Sequence, residues 1–94
     1  MKRDLRLLLE KAAKLEKAIV DRELFEISPS GHLLIIAPFR AANFERAMGI
    51  LNEEDTQSLT LQPNDSWDLV LRKVFLGEGE QTFTISIILE CPKQ

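Results

Sequence analysis

The side chains most often used as a general base and as a nucleophile occur once each, as His32 and Cys91. General acid or base catalysis needs a partner that orients the imidazole, and a metal site needs several donors. The sequence offers no second histidine or cysteine, and its carboxylates lack a spacing typical of a site. His32 directly follows a turn glycine, so we interpret it as a polar residue at a strand end. The sequence therefore predicts no enzyme, no bound metal and no cofactor.

Cys91 lies in an alternating pattern, on the same side as four apolar residues. A free thiol at such a position behaves as a small hydrophobic side chain, whereas a nucleophile needs a nearby base or helix start that lowers its pKa. A lone cysteine cannot form an internal disulfide, which agrees with a reducing compartment. We therefore expect a structural thiol on the apolar face of a strand and a cytoplasmic protein.

No segment is typical of a membrane span or a secretion signal. The longest purely apolar run, Leu33–Ala37, is far shorter than the roughly 20 residues that cross a bilayer. Glu10, Lys11 and Lys14 directly follow the N-terminal leucines, which is unlike the apolar core of a signal peptide. We expect no association with a membrane.

Arg40 stands where an apolar strand pattern passes into a helical pattern. The free N–H groups at a helix start favour an anion, and an arginine adds a charge-assisted contact. The segment Pro38–Ala42, however, matches neither a phosphate-binding loop nor a dinucleotide fingerprint. Arg40 is therefore the candidate for an anion site, and an ordinary exposed arginine is the alternative interpretation.

The charge distribution bears on nucleic-acid binding. The net charge of -3 gives no general attraction to nucleic acid, but residues 1–22 contain seven basic and four acidic side chains. No helix-turn-helix spacing, zinc pair or exposed aromatic platform accompanies them. Binding to DNA or RNA is therefore kept as the alternative function, not the favoured one. The residues that would contact phosphate are Arg3, Arg6, Lys14 and Lys17.

The strongest periodic pattern lies in the first segment, where apolar residues recur at alternating spacings of three and four. It predicts an amphipathic helix over about residues 2–22, which is a candidate oligomerisation element. Trp67 lies in a later helical stripe and is either a core residue or an interface anchor. The interaction candidates are Leu5, Leu8, Leu15, Ile19 and Trp67.

The rest of the chain alternates between strand and helix patterns. Gly31 suits the left-handed position of a tight turn, which predicts a hairpin. The run Leu33–Ala37 is apolar at every position, so it predicts a central strand or a strand whose second face meets a partner. The predicted segments are strand 24–28, strand 32–37, a helix ending near Leu51, strand 58–62, helix 66–76 and strand 81–91.

These patterns predict one α+β domain over residues 1–94, in the order α-β-β-α-β-α-β. We expect a four-stranded, mainly antiparallel or mixed sheet with helices packed on one face. A chain of 94 residues buries only about 60 to 65 % of its unfolded surface, which favours self-association as a homodimer. The sequence thus indicates a non-enzymatic protein-interaction module that binds a protein partner, such as an adaptor, an inhibitor or a small chaperone.

Overall fold

The computed structural model describes residues 2–53, 59–63, 68–76 and 82–91, with backbone alone for residues 2–5, 59–63 and 76. Two helices and five strands lie in this part of the chain. They are α1 (Lys2–Ala18), β1 (Leu24–Ser28), β2 (His32–Pro38), α2 (Ala41–Leu51), β3 (Leu59–Pro63), β4 (Leu69–Leu76) and β5 (Thr82–Glu90).

The strands form one mixed sheet in the order β1-β2-β5-β4-β3. The chain forms the β1–β2 hairpin, crosses through α2 to the far edge, and returns through β3 and β4 to the centre. There β5 pairs parallel with β2, whereas the other neighbouring strands are antiparallel. The predicted α+β class and mixed sheet are confirmed.

The hairpin turn depends on Gly31. Its φ is 93°, a left-handed conformation that glycine adopts without strain, and its N–H donates to the Ser28 carbonyl at 3.0 Å. An added Cβ would also lie 3.3 Å from the Cβ of Phe83. The turn predicted from the sequence is therefore correct.

The core lies between the two helices and one face of the sheet. On β2, Leu33, Ile35 and Ala37 are fully buried in it. The predicted alternation of the last strand is confirmed, because alternate residues of β5 enter the same core. Both helices therefore pack on this face. The other main core residues are Leu8, Leu15, Ile19, Ala47, Leu51, Leu71, Phe75, Phe83, Ile85, Ile87 and Leu89.

The predicted third helix, over residues 66–76, is wrong. Residues 69–76 form β4, which pairs with β3 on one side and β5 on the other, so the sheet has five strands. The apolar spacing in this segment fits a helix, but the alternation of Leu69, Leu71, Lys73 and Phe75 also fits a strand. Lys73 at a core-facing position disrupts the strand pattern, and pairing with two neighbours decides the outcome.

The first helix ends at Ala18 rather than near residue 22. Continuation would place the carboxylate of Asp21 at the helix C-terminus, where the helix dipole disfavours an anion. Instead the Arg22 guanidinium donates to the carbonyls of Glu16 and Ile19, at 2.9 and 3.1 Å. These bonds satisfy carbonyls that the end of a helix leaves unpaired.

Core packing of α1 predicts a large difference between two of its leucines. Leu15 is fully buried, whereas 48 % of Leu9 is exposed. We expect Leu15→Ala to lower the free energy of unfolding by about 2 to 5 kcal/mol, because it leaves a cavity. The control Leu9→Ala should change it by about 0.5 kcal/mol or less. Urea unfolding followed by circular dichroism measures both, and equal losses would contradict this orientation of α1.

Candidate functional site

The face of the sheet opposite the helices carries an aliphatic row that crosses four strands. Leu24 of β1 pairs with Ile36 of β2, which pairs with Ile88 of β5, which pairs with Val70 of β4. Paired residues project from the same face, so the four side chains form one continuous strip. None of them belongs to the core cluster beneath the helices. We call these four residues the aliphatic row.

The row is partly open to solvent. Leu24, Ile36 and Ile88 are half-buried, as is Leu34 beside them on β2, whereas Val70 is only 8 % exposed. Within the part of the chain that the structure describes, no helix lies over this face. The even positions of the apolar run in β2 therefore point away from the core. This outcome agrees with a strand inside the sheet whose second face is available.

Two opposite charges flank the row. Glu26 of β1, Leu34 of β2, Ser86 of β5 and Arg72 of β4 form the next line of paired residues. Glu26 and Arg72 are both exposed, at opposite ends of this line. Neither side chain makes a hydrogen bond or an ion pair with another residue among those that the structure describes. This line therefore has an acidic residue at its β1 end and a basic residue at its β4 end.

His32 contacts a serine that lies 54 positions later in the sequence. Its Nε2 lies 3.0 Å from the Oγ of Ser86, because the parallel pairing of β2 and β5 brings the two residues together. Ser86 is only 3 % exposed, so its hydroxyl is poorly accessible to a substrate. The pair orients the imidazole at the rim of the open face. No group of three or more metal-binding side chains occurs among the described residues.

Three of the interaction candidates in the first segment are not on the surface. Leu8, Leu15 and Ile19 are buried in the domain's own core. The side chain of Leu5 and all of Trp67 lie outside the described part. The apolar stripe of α1 is therefore used within the domain and is not available to a partner. Sequence periodicity could not find the open face of the sheet because it depends on the strand order.

Arg40 is held by a carboxylate of the same chain. Its Nε donates to Asp21 Oδ2 at 2.7 Å, and Asn43 Nδ2 donates to Asp21 Oδ1 at 3.1 Å. The hydrogen bond from Asn43, together with that from Arg40, lowers the pKa of Asp21. Asn43 also donates to the Pro38 carbonyl at 2.9 Å. The anion at this corner is Asp21, and the contacts fasten the end of α1 to the start of α2.

The basic residues that were candidates for phosphate contacts differ in their surroundings. Lys14, Arg6 and Lys17 are all exposed, and Lys14 Nζ lies 2.9 Å from Glu53 Oε1. The side chain of Arg3 lies outside the described part.

A buried lysine that the sequence analysis missed joins the two helices. Lys11 is 1 % exposed, and its Nζ donates to the Ile50 carbonyl at 2.9 Å and to Glu53 Oε1 at 2.7 Å. The hydrogen bond from Lys11, followed by that from Lys14, lowers the pKa of Glu53 to about 2. A buried ammonium group is tolerated only with such partners. These contacts fix α1 against the C-terminal end of α2.

A second buried lysine lies on β4. Lys73 is 1 % exposed, and its Nζ donates to Asn52 Oδ1 at 3.3 Å. The same ammonium lies 5.6 Å from the centre of the Phe75 ring, a distance typical of a cation–π contact. The core under α2 is therefore polar at its end.

The predicted placement of Cys91 on the apolar face is wrong. The residue follows the end of β5 and is exposed, and its N–H donates to Asp68 Oδ1 at 3.1 Å. The alternating pattern ends at Glu90, where β5 ends, so the strand no longer directs the next side chain into the core.

Comparison with known proteins identified no relative of the chain. No family model, no curated protein and no solved structure matches the chain. Neither described helix is long and apolar enough to cross a membrane.

The contacts of Glu53 predict a specific loss of stability in acid. Because folding lowers its pKa from 4.5 to about 2, its contribution is fully present above pH 4.5 and is lost as the pH falls towards 2. We expect Glu53→Gln to remove this part of the acid dependence and to lower stability at pH 7, since Lys11 loses its carboxylate.

The matched control is Glu45→Gln, because Glu45 is an exposed residue of α2, the helix that ends two residues before Glu53. Urea unfolding midpoints at a series of pH values between 7 and 2 measure the effect. Parallel pH profiles for wild type and Glu53→Gln would contradict the role of this carboxylate.

Proposed function

We propose that the protein is a non-enzymatic protein-interaction domain that self-associates through the open face of its sheet. The observation that carries this proposal is the aliphatic row, which crosses four strands opposite the helices. A sheet face exposed to water is usually polar, whereas a face that binds another protein is apolar at its centre and polar at its rim. Here the rim includes Glu26, Arg72 and His32.

Burial of the aliphatic row is energetically favourable. Removing aliphatic surface from water contributes about 25 cal/mol for each Å² buried. A small domain has few other ways to gain such burial, because its single core is limited by its size. Self-association therefore supplements a core that the two helices cover on one side only.

The roles compatible with this surface are those of an adaptor, an inhibitor or a small chaperone, with a homodimer as the favoured assembly. We propose no catalytic role, because the hydroxyl that contacts His32 is buried and because Glu53 and Asp21 are used in contacts between the helices. For nucleic acid, no observation on the described residues favours binding. Lys14, one of the proposed phosphate contacts, is instead paired with Glu53.

We expect that replacing isoleucines of the aliphatic row by a smaller, more polar residue weakens self-association. We expect wild type to form a dimer reversibly within a range of about 1 μM to 1 mM. The double variant Ile36→Thr/Ile88→Thr keeps β-branched residues in the strands but removes four methyl-sized apolar groups from a dimer interface. Its dimer dissociation constant should rise by at least about tenfold.

The matched control is Ile27→Thr, because Ile27 is an exposed isoleucine on the other side of the sheet. Sedimentation velocity over the concentration range measures the mass, and circular dichroism checks the fold. A wild type that remains monomeric throughout would overturn self-association. An unchanged dissociation constant for the folded double variant would overturn the assignment to the open face.

A further inference from the structure

We infer that a second copy of the chain covers the open face, related by a twofold axis that lies parallel to β2 and β5 and between them. This inference rests on the proposed function and specifies its geometry. Two sheets that pack face to face keep their strands approximately aligned, and a twofold interface brings the same surface patch of both copies together. The open face must therefore complement itself.

The aliphatic row satisfies this requirement. Rotation about the proposed axis leaves the position along each strand unchanged, and it exchanges β1 with β4 and β2 with β5. Ile36 then faces Ile88 of the second copy, and Leu24 faces Val70 of the second copy. Every member of the row meets another aliphatic side chain, so the centre of the interface excludes water.

The flanking charges distinguish this axis from another one. In the proposed arrangement, Glu26 faces Arg72 of the second copy, and Arg72 faces Glu26 of the second copy. Two exposed charges that lack an ion pair among the described residues thus acquire opposite charges. An axis running across the strands directly above the line from Glu26 to Arg72 would place Glu26 opposite Glu26 of the second copy. Like charges that face each other at an interface are strongly unfavourable.

The same charge disfavours assembly through the edge of the sheet. β1 is an edge strand of five residues with Glu26 at its centre. Antiparallel pairing of two copies of β1 over their full length would again oppose the two Glu26 side chains, which is destabilising. Charge placement therefore favours the face of the sheet over its β1 edge.

The size of the face suits a reversible dimer. Four strands about 4.8 Å apart and about seven residues long cover a face about 20 Å wide and about 23 Å long. Such an area lies at the low end of specific interfaces, which agrees with a dimer that dissociates on dilution.

Charge exchange tests the geometry. Glu26→Arg alone places two arginines opposite each other at both ends of the interface, and Arg72→Glu alone does the same with two glutamates. Each variant should raise the dimer dissociation constant by at least about tenfold. The double variant Glu26→Arg/Arg72→Glu restores opposite charges and should return the constant to within about threefold of wild type.

The control Glu45→Arg makes the same substitution on α2, away from the open face, and should leave the constant unchanged. Sedimentation equilibrium at low ionic strength gives the constants, and urea unfolding confirms that each variant is folded. Weakening in both single variants with recovery in the double variant supports the proposed axis. A stable dimer that is insensitive to both single variants overturns the axis but leaves self-association intact, whereas a monomeric wild type overturns the proposed function itself.

Discussion

Both helices pack on one face of the sheet, so each central strand has one side in the core and the other side outside it. On β2 this constraint divides an unbroken apolar run: Leu33, Ile35 and Ala37 enter the core, while Leu34 and Ile36 project to the open face. On β5, which runs parallel beside β2, Ile85, Ile87 and Leu89 enter the core, while Ile88 projects to the open face. The domain therefore has an enclosed apolar core and, on the other face of the sheet, an aliphatic row that no helix of the described chain covers.

Polar contacts hold the helices in the position that creates this asymmetry. The Lys11 ammonium joins the middle of α1 to the end of α2, and Asp21, in the turn after α1, joins Arg40 and Asn43 at the start of α2. These contacts lie at opposite ends of α2. Since both are directional, they fix the angle at which the helices cross the core face. They explain why charged residues of α1 and the adjoining turn serve architecture.

Local patterns predicted the elements whose contacts are regular, and they failed where a charged residue enters the core. The alternation of β5 and the positive φ of Gly31 follow from period and turn chemistry. Lys73 disrupts the alternation that would have indicated a strand, and Lys11 follows the pattern of a solvated residue. Their burial depends on distant partners: Asn52 lies 21 residues from Lys73, and Glu53 lies 42 residues from Lys11. The open face could not be predicted from the sequence either, because its aliphatic row is defined only when the order of the strands is known.

The central claim, that a second copy covers the open face, is tested most directly by the solvent exposure of its methyl groups. A soluble paramagnetic probe attenuates the NMR signals of exposed methyls, and dilution dissociates a dimer. We expect the Ile36 and Ile88 methyls to be attenuated in dilute samples and protected in concentrated ones, whereas the exposed Leu9 on α1 is attenuated in both. Equal attenuation of Ile36 and Ile88 at every concentration would contradict the account.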